Sequence, residues 1–134
     1  MLPKENRIHT RFEFGKVKKY GDSYRYRYFY LYALPFDRLE KISRGRWDFG
    51  PQTQVGFLMS NKLHKNAVVR NRVKRLFRES VRRNFDKIKD GWWLVFHPRF
   101  ICVGAKYEEI NTEITQVLQK ISVARKVRDK NLQV

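Results

Sequence analysis

The chain of 134 residues carries a formal net charge of +17, from 30 lysines and arginines against 13 acidic residues. So basic a balance favours a nucleic-acid partner, and 42% hydrophobic residues can supply a packed core. No apolar run approaches the roughly 20 residues of a membrane span, and the first ten residues lack a signal-peptide stretch, so we expect a soluble, cytoplasmic protein with no membrane partner. Cys102 is the single cysteine, which excludes an internal disulfide framework, and no Cys and His spacing is typical of a zinc site.

A short helix over residues 11–19 is the first predicted element. Thr10 followed by Glu13 is a capping-box pattern, and Gly21 is suited to a left-handed position at the helix end. The helical period directs Phe14 inward.

A long strand with a tyrosine face is predicted over residues 24–34. Strict alternation places on one face Tyr24, Tyr26, Tyr28, Tyr30 and Tyr32. Aromatic rings beside arginine and lysine offer unpaired bases a stacking surface, which indicates a groove for single-stranded nucleic acid. Alternatively, the rings form cross-strand packing pairs and only cover the sheet.

Residues 36–53 are predicted to form an extended loop, because they are charged and interrupted by Gly45 and Gly50. Short structure is expected only around Ile42 or from Trp47 to Phe49.

The remaining elements predict one domain over residues 1–134. A strand is predicted over 54–60, followed by a basic helix that ends near Phe85. A buried central strand over 91–97 and an amphipathic helix over 107–123 come next. The chain ends in a frayed basic tail, 124–134. The order helix, strand, strand, helix, strand, helix predicts the α+β class, an α/β sandwich with helices against one small sheet. If the second and third strands are parallel neighbours, the basic helix makes a βαβ crossover.

The basic helix carries the strongest functional signal. Residues 62–83 contain nine lysines and arginines against one acid, Glu79. The helical period divides them from an apolar arc made by Val69, Val73, Leu76, Phe77, Ser80 and Asn84. Like charges four residues apart repel each other unless an anion neutralises them, and a phosphate backbone is the anion that we expect. A solvated basic helix without a partner is the alternative.

No catalytic constellation is visible in the sequence. His9, His64 and His97 are scattered, and no phosphate-binding Gly-rich loop or GxSxG elbow is present. A nuclease would need several converging carboxylates, whereas most acids here lie in predicted loops or on the last helix. Catalysis by this polypeptide alone is therefore not expected, and we assign it no catalytic residue and no bound metal.

The segment from Lys65 to Glu79, KNAVVRNRVKRLFRE, resembles the RNR signature of the protein subunit of bacterial ribonuclease P, the ribonucleoprotein that removes the 5′ leader of precursor tRNA. The resemblance extends to Asn6-Arg7, to residues 12–17, to the strand around Tyr32 and to Val55-Gly56. It covers most of the chain outside the loop and the tail.

This resemblance implies a left-handed βαβ crossover, against the usual right-handed rule, and an RNA subunit that carries the hydrolysis with its Mg²⁺ ions. The implied partners are the ribonuclease P RNA and precursor tRNA, with no DNA. The resemblance and the charge pattern together predict a set of RNA-binding residues on the basic helix and the segment before it. They are Lys62, Lys65, Asn66, Arg70, Asn71, Arg72, Lys74, Arg75, Arg78 and Arg82. The implied cleft for the single-stranded leader contains Phe14 and Tyr32, the parity of the strand adds Tyr28 and Tyr30, and Lys18 stands where a second ring is expected.

Two other functions compete with this interpretation. A general RNA-binding or ribosomal protein would need the basic helix but no cleft. A DNA-binding helix-turn-helix module is disfavoured, because no short first helix and tight turn precede the basic helix.

Overall fold

The computed structural model describes residues 2–8, 10–60, 62–88 and 91–132, with side chains of the last helix described as far as Ser122. His9 and the end of the predicted tail therefore lie outside the described residues. The helices are α1 (Arg11–Tyr20), α2 (Phe36–Ser43), α3 (Ala67–Asn84) and α4 (Tyr107–Leu132). The strands are β1 (Asp22–Arg25), β2 (Phe29–Pro35), β3 (Gln54–Phe57) and β4 (Trp92–Pro98). Within the described ranges, no helix is long and apolar enough to cross a membrane.

The described strands form one sheet in the order β1-β2-β4-β3. β2 is antiparallel to both β1 and β4, whereas β3 is parallel to β4. α3 joins these two parallel neighbours, so the predicted βαβ crossover is confirmed, while its left hand stays a prediction. β4 is an internal strand whose residues from Trp92 to Phe96 are all buried, as its continuous apolar sequence predicted.

Each face of the sheet packs against its own pair of helices. Leu31, Leu94 and Phe96 point to the larger core, which includes Phe77 of α3 and Ile114 of α4. The other face forms a smaller core in which α1 and α2 contribute, among others, Val17 and Leu39. The smaller core leaves part of its sheet face uncovered by helices, and Tyr30 and Tyr32 lie there half-buried.

The start of α1 confirms the predicted cap, but its end does not follow the prediction. Thr10 Oγ1 accepts a hydrogen bond from the Glu13 N–H at 3.2 Å and donates one to Glu13 Oε1 at 2.5 Å. Gly21 adopts an extended conformation with φ of −76° instead of the left-handed one. Glycine is needed because a Cβ atom would lie 2.5 Å from the Val17 carbonyl oxygen and 3.0 Å from that of Ala33.

The predicted long strand over residues 24–34 is wrong, because a bend at residues 26–28 divides it into the antiparallel hairpin β1-β2. Glu113 of α4 stabilises the bend by accepting hydrogen bonds from the N–H groups of Arg27 at 3.2 Å and Tyr28 at 2.9 Å. The bend also reverses the alternation. Tyr24 and Tyr26 pack against the larger core, whereas Tyr32 belongs to the smaller one.

The prediction of an extended loop over residues 36–53 is wrong in its first half, where the short structure expected around Ile42 is an eight-residue helix, α2. Phe36 and Leu39 lie three residues apart and pack into the smaller core. Arg44 ends the helix in a left-handed conformation with φ of 53°. The remaining segment packs Phe49 edge-on against Phe36, with ring centroids 5.0 Å apart, so it covers the end of the sheet.

A buried polar cluster joins α3 to α4. Ser80 Oγ donates to Asn111 Oδ1 at 2.7 Å, and Asn84 Nδ2 donates to the same oxygen at 3.1 Å. α4 continues to Leu132, beyond the predicted end at Val123, so the predicted tail begins as helix.

Candidate nucleic-acid interface

α3 separates a buried face from an exposed basic face, as predicted. The exposed residues of the helix and of the segment before it include Lys62, Lys65, Asn66, Asn71, Arg72 and Arg75. The buried residues are Val73, Phe77, Ser80, Val81 and Asn84. Leu76 is only half-buried, and Val81, which the predicted arc omitted, is buried in its place.

Arg70 shapes the turn that leads into α3. Its Nη1 donates to the carbonyl oxygens of His64 at 2.8 Å and Lys65 at 3.0 Å. Asn66 caps the helix, since its Oδ1 accepts from the Val68 N–H at 2.8 Å. A guanidinium group has five N–H donors, so Arg70 can hold this turn and contact a phosphate as well.

Arg82 is held by the one acid of the helix. Its Nη2 lies 2.7 Å from Glu79 Oε1, and Nε of Arg83 lies 2.9 Å from the same oxygen. The hydrogen bonds from Arg82 and then from Arg83 lower the pKa of Glu79 to about 2. Arg82, which the sequence analysis predicted to contact RNA, is therefore already paired with an acid in the free protein.

A cavity of about 460 Å³ opens between α1, β3 and α3. Phe14 lies on one side of it, and Lys74 and Arg78 lie on the other. Burial first, and the charge of Arg78 second, lower the pKa of Lys74, because both disfavour its positive charge. One amine and one guanidinium held together beside an aromatic ring favour an anion with a planar group attached.

Gly56 allows Phe14 to reach the sheet. A Cβ atom at this position of β3 would lie 2.8 Å from the Phe14 ring. The Val55-Gly56 pair of the sequence motif thus has a packing role beside the cavity.

The uncovered face of the sheet continues from the same flank of α1. Lys18 follows Phe14 by one helical turn, and its Nζ lies 5.9 Å from the Tyr32 ring centroid. Tyr30 lies two residues before Tyr32 on β2 and therefore on the same face. The structure thus brings together four of the five residues predicted for the cleft, namely Phe14, Lys18, Tyr30 and Tyr32.

The fifth residue, Tyr28, is placed elsewhere, and the prediction that it shares a face with Tyr30 and Tyr32 is wrong. It is 5% exposed and packs with the larger core on the opposite side. Its hydroxyl donates a short hydrogen bond to Glu109, which raises the pKa of Tyr28 and lowers that of Glu109. The bend at residues 26–28 causes the error, since alternation holds only within an uninterrupted strand.

His97 and Arg99 join the same open face and were not assigned to it from sequence. His97 pairs with Tyr30 across the strands, with ring centroids 6.2 Å apart, and the Arg99 guanidinium carbon lies 5.2 Å from the centroid of Tyr30. Burial, and then the charge of Lys18, lower the pKa of His97. The alternation of Trp93, Val95 and His97 could have placed His97 on this face, but only the register shows which tyrosine it meets.

A smaller cavity of about 220 Å³ lies at this end of the sheet and is lined by Tyr30, Lys62, His97 and Arg99, among others. Lys62 thus lies next to the open face as well as next to α3. Among the residues that the structure describes, no group of three or more His, Cys, Asp or Glu side chains could hold a metal ion.

Comparison with known proteins gives one consistent family. A model of the family described as Ribonuclease P matches residues 2–122. The ribonuclease P protein component of Alkaliphilus oremlandii is 35% identical over 118 residues, which cover 88% of this chain and 92% of that protein. That of a Pseudanabaena species is 33% identical over 123 residues, covering 92% and 97%.

Solved structures agree on the fold. The RNase P protein of Staphylococcus aureus superposes with a TM-score of 0.68 at 23% identity, covering 87% of this chain and 94% of that one. The RNase P protein of Thermotoga maritima gives 0.68 at 22% identity, covering 85% and 96%. The mixed arrangement of helices on one small sheet is therefore shared with proteins of this kind.

Proposed function

Because the chain belongs to the ribonuclease P protein family, we propose that its open sheet face and adjoining cavity hold the single-stranded 5′ leader of precursor tRNA. As a protein component of ribonuclease P, the chain binds RNA and partners the ribonuclease P RNA, which carries the catalytic role. The proposal concerns how this polypeptide contributes to substrate binding.

The observation that carries the proposal is the arrangement along one flank of α1. Phe14 borders the cavity that also contains Lys74 and Arg78, and Lys18 one turn later approaches Tyr32. Rings for stacking bases and cations for binding phosphates therefore alternate along this flank of α1. That alternation is what proteins use to bind an unpaired strand.

In this proposal, each side of α3 contacts a different RNA molecule. Lys74 and Arg78 face the cavity and would meet the leader. Arg72 and Arg75 are exposed on the outward side and would meet phosphates of the RNA subunit. One helix can therefore place the leader at a defined position relative to the catalytic RNA.

The Mg²⁺ ions of the reaction are proposed to lie on the RNA subunit, with this chain supplying cations around the substrate. A cytoplasmic location is part of the same proposal. It is consistent with Cys102, the single cysteine, which is buried as a free thiol.

The test compares two substrates in the reconstituted holoenzyme. Phe14→Ala and Tyr32→Ala should each weaken binding of precursor tRNA by about 1–3 kcal/mol, the value of a base stacked on a ring, and leave mature tRNA binding unchanged. Tyr24→Ala is the matched control, because it removes a half-buried tyrosine from the other face of the sheet. Equal losses for precursor and mature tRNA would show that the open face does not hold the leader.

A second assay separates an assisting subunit from a general RNA-binding protein. The wild-type protein should stimulate cleavage of precursor tRNA by ribonuclease P RNA at low magnesium concentration. A protein that binds this RNA without stimulating cleavage would contradict the proposed role.

A further inference from the structure

A third cavity, of about 420 Å³, lies between the start of α1, the segment after α2 and the beginnings of β3 and β4. Its lining includes Phe12, Glu13, Trp47, Asp48, Gln54 and Trp93. Phe12 lies two residues from Phe14, which turns it about 200° around the helix and away from the leader path. This cavity is therefore separate from the open face described above.

Aromatic rings form the walls of this third cavity. Phe12 is 49% exposed, and its ring meets Trp47 edge-on with centroids 5.1 Å apart. The Nζ atom of Lys16 lies 5.4 Å from the Phe12 centroid and 5.1 Å from that of Trp47. The rings and the amine offer a planar ligand a stacking surface with a cation beside it.

Two buried polar atoms in the lining are unsatisfied. Gln54 Nε2 donates to the Glu5 carbonyl oxygen at 3.3 Å, which sets the orientation of the amide and leaves Oε1 as the second atom. Trp93 is 2% exposed, and its indole nitrogen is a donor. Neither Gln54 Oε1 nor Trp93 Nε1 has a hydrogen-bond partner within the described part of the chain. Buried polar groups are normally paired, so these two atoms point to a ligand with a donor and an acceptor.

The polar groups of the cavity also indicate which planar ligand fits. Gln54 Oε1 and the carboxylates of Glu13 and Asp48 are acceptors, whereas Trp93 Nε1 is a donor. Carboxylates and amide oxygens accept hydrogen bonds from the amino groups of bases. Guanine carries adjacent N1–H and N2–H donors beside its O6 acceptor, which matches this excess of acceptors. Arg11 and Arg46 are exposed next to the cavity walls in sequence and can meet the flanking phosphates.

We propose that this cavity binds one unpaired guanine base of an RNA, by stacking against Phe12 and Trp47 and by base-edge hydrogen bonds to the polar lining. Binding in this proposal requires the segment 46–49 to move outward and expose the two buried atoms. Gly45 and Gly50 flank that segment with φ of 76° and 67°, and glycine has the widest choice of backbone conformations for such a movement.

The test follows the indole N–H signals of the full-length, ¹⁵N-labelled protein by NMR, with the three tryptophans assigned by single Trp→Phe variants. The probes are GMP, AMP, CMP, UMP and ribose 5-phosphate, which share a phosphate and differ in the base. GMP should shift the Trp93 signal and bind about tenfold or more tightly than UMP, as expected when base-edge hydrogen bonds discriminate. Equal binding of all probes, or no shift of Trp93 with GMP, would overturn the proposal.

Matched variants locate the site. Asp48→Asn keeps the size of the side chain and should reduce the preference for GMP, and Trp47→Ala should remove GMP binding. Phe14→Ala, on the other flank of α1, should leave GMP binding intact. If Phe14→Ala removed the shift and Asp48→Asn did not, the mononucleotide would be bound in the leader path and the proposal would be wrong.

The holoenzyme identifies which RNA supplies the base. With Trp47→Ala, weaker binding of the RNA subunit assigns the guanine to that RNA, and weaker binding of precursor tRNA alone assigns it to the substrate. Unchanged affinity for both would overturn the proposal. The mononucleotide titration does not involve the leader, so its result is independent of the leader proposal.

Discussion

Residues of the same type have different tasks on α3. Arg70 holds the turn before the helix, Arg82 is paired with Glu79, and Arg72 and Arg75 are exposed. Sequence pattern counts all of them as positive charge. Their partners decide how much of that charge is left for RNA.

Replacing Arg72 and Arg75 together by Ala should flatten the salt dependence of binding to the RNA subunit by about two units of the log-log slope, since each lost phosphate contact removes about 0.9. Both side chains are exposed, so the melting temperature should stay close to that of the wild type. Affinity measured across a salt series checks this. An unchanged slope would place these residues outside the interface.

Glu79→Gln should have the opposite effect. The substitution removes the carboxylate that holds Arg82 and Arg83, so both guanidiniums become available to phosphates and the salt slope should steepen. Glu108→Gln, which removes an exposed acid from α4, is the control for net charge. Equal slopes for the two variants would show that Arg82 and Arg83 do not reach the RNA.

His97 should make leader binding depend on pH. Because its pKa in the free protein lies below 6.5, the unfolded chain takes up a proton first as pH falls through 6.5, and the free protein loses stability there. A leader phosphate near Lys18 would raise the pKa of His97, so leader binding takes up a proton and strengthens as pH falls through the same range. His97→Gln should remove this pH dependence of precursor binding. A wild-type affinity that stays constant across that range would contradict the prediction.

At the scale of the elements, the local sequence period predicts which side chains are buried correctly for α3 but not for the hairpin β1-β2. The 3.6-residue period of α3 sorts its faces without help from the rest of the chain. Strand alternation predicts the wrong face for Tyr28, because a bend interrupts the strand. Glu113, more than eighty residues later in the chain, stabilises that bend by accepting hydrogen bonds from its N–H groups. A hydrogen-bond acceptor so distant in the chain cannot be predicted from the local sequence pattern.

Phe77→Ala should destabilise the protein more than Leu76→Ala. Phe77 is fully buried and packs edge-on against Phe29, with centroids 5.7 Å apart, so its truncation should cost about 3–5 kcal/mol. Leu76 is half-buried at the edge of the same core and should cost less. Chemical denaturation of both variants measures the difference. If Leu76→Ala cost as much as Phe77→Ala, the core boundary on α3 would be drawn incorrectly.

At the scale of the whole molecule, one sheet separates the larger core from the face that we propose for leader binding. The larger core under α3 and α4 contains Phe29, Phe77 and Phe96, and it also buries Cys102. The other side keeps Tyr30, Tyr32 and His97 within reach of a ligand. Mutations on opposite faces should therefore change stability and the proposed leader binding separately.

Cys102 should report on opening of the larger core. Burial raises the pKa of its thiol to about 12, so the reactive thiolate is scarce in the folded protein. We expect a thiol reagent to label the native protein far more slowly than the denatured one, and Phe77→Ala to accelerate native labelling. Tyr32→Ala, on the other face, is the control. Fast labelling of the native wild type would mean that the core opens locally at Cys102.

The sequence by itself determined the class of function and most of the secondary-structure elements. The motif around Arg70–Arg78, the net charge, the two faces of α3 and the buried β4 are local or compositional properties, so they can be read without knowing which elements touch. Part of the proposed leader path could be predicted from the sequence, since Phe14, Lys18 and Tyr32 came from the resemblance to the family. Tyr30 came from strand parity, which held because no bend separates it from Tyr32.

Only the tertiary structure decided the rest. The placement of Tyr28 depends on a bend held by α4, and α2 forms where its apolar residues meet the sheet. His97 meets Tyr30 through the strand register, and Arg99, which follows β4, lies over the same ring. In each case the deciding contact joins residues distant in the chain, and such contacts follow from packing, which a local sequence pattern does not encode.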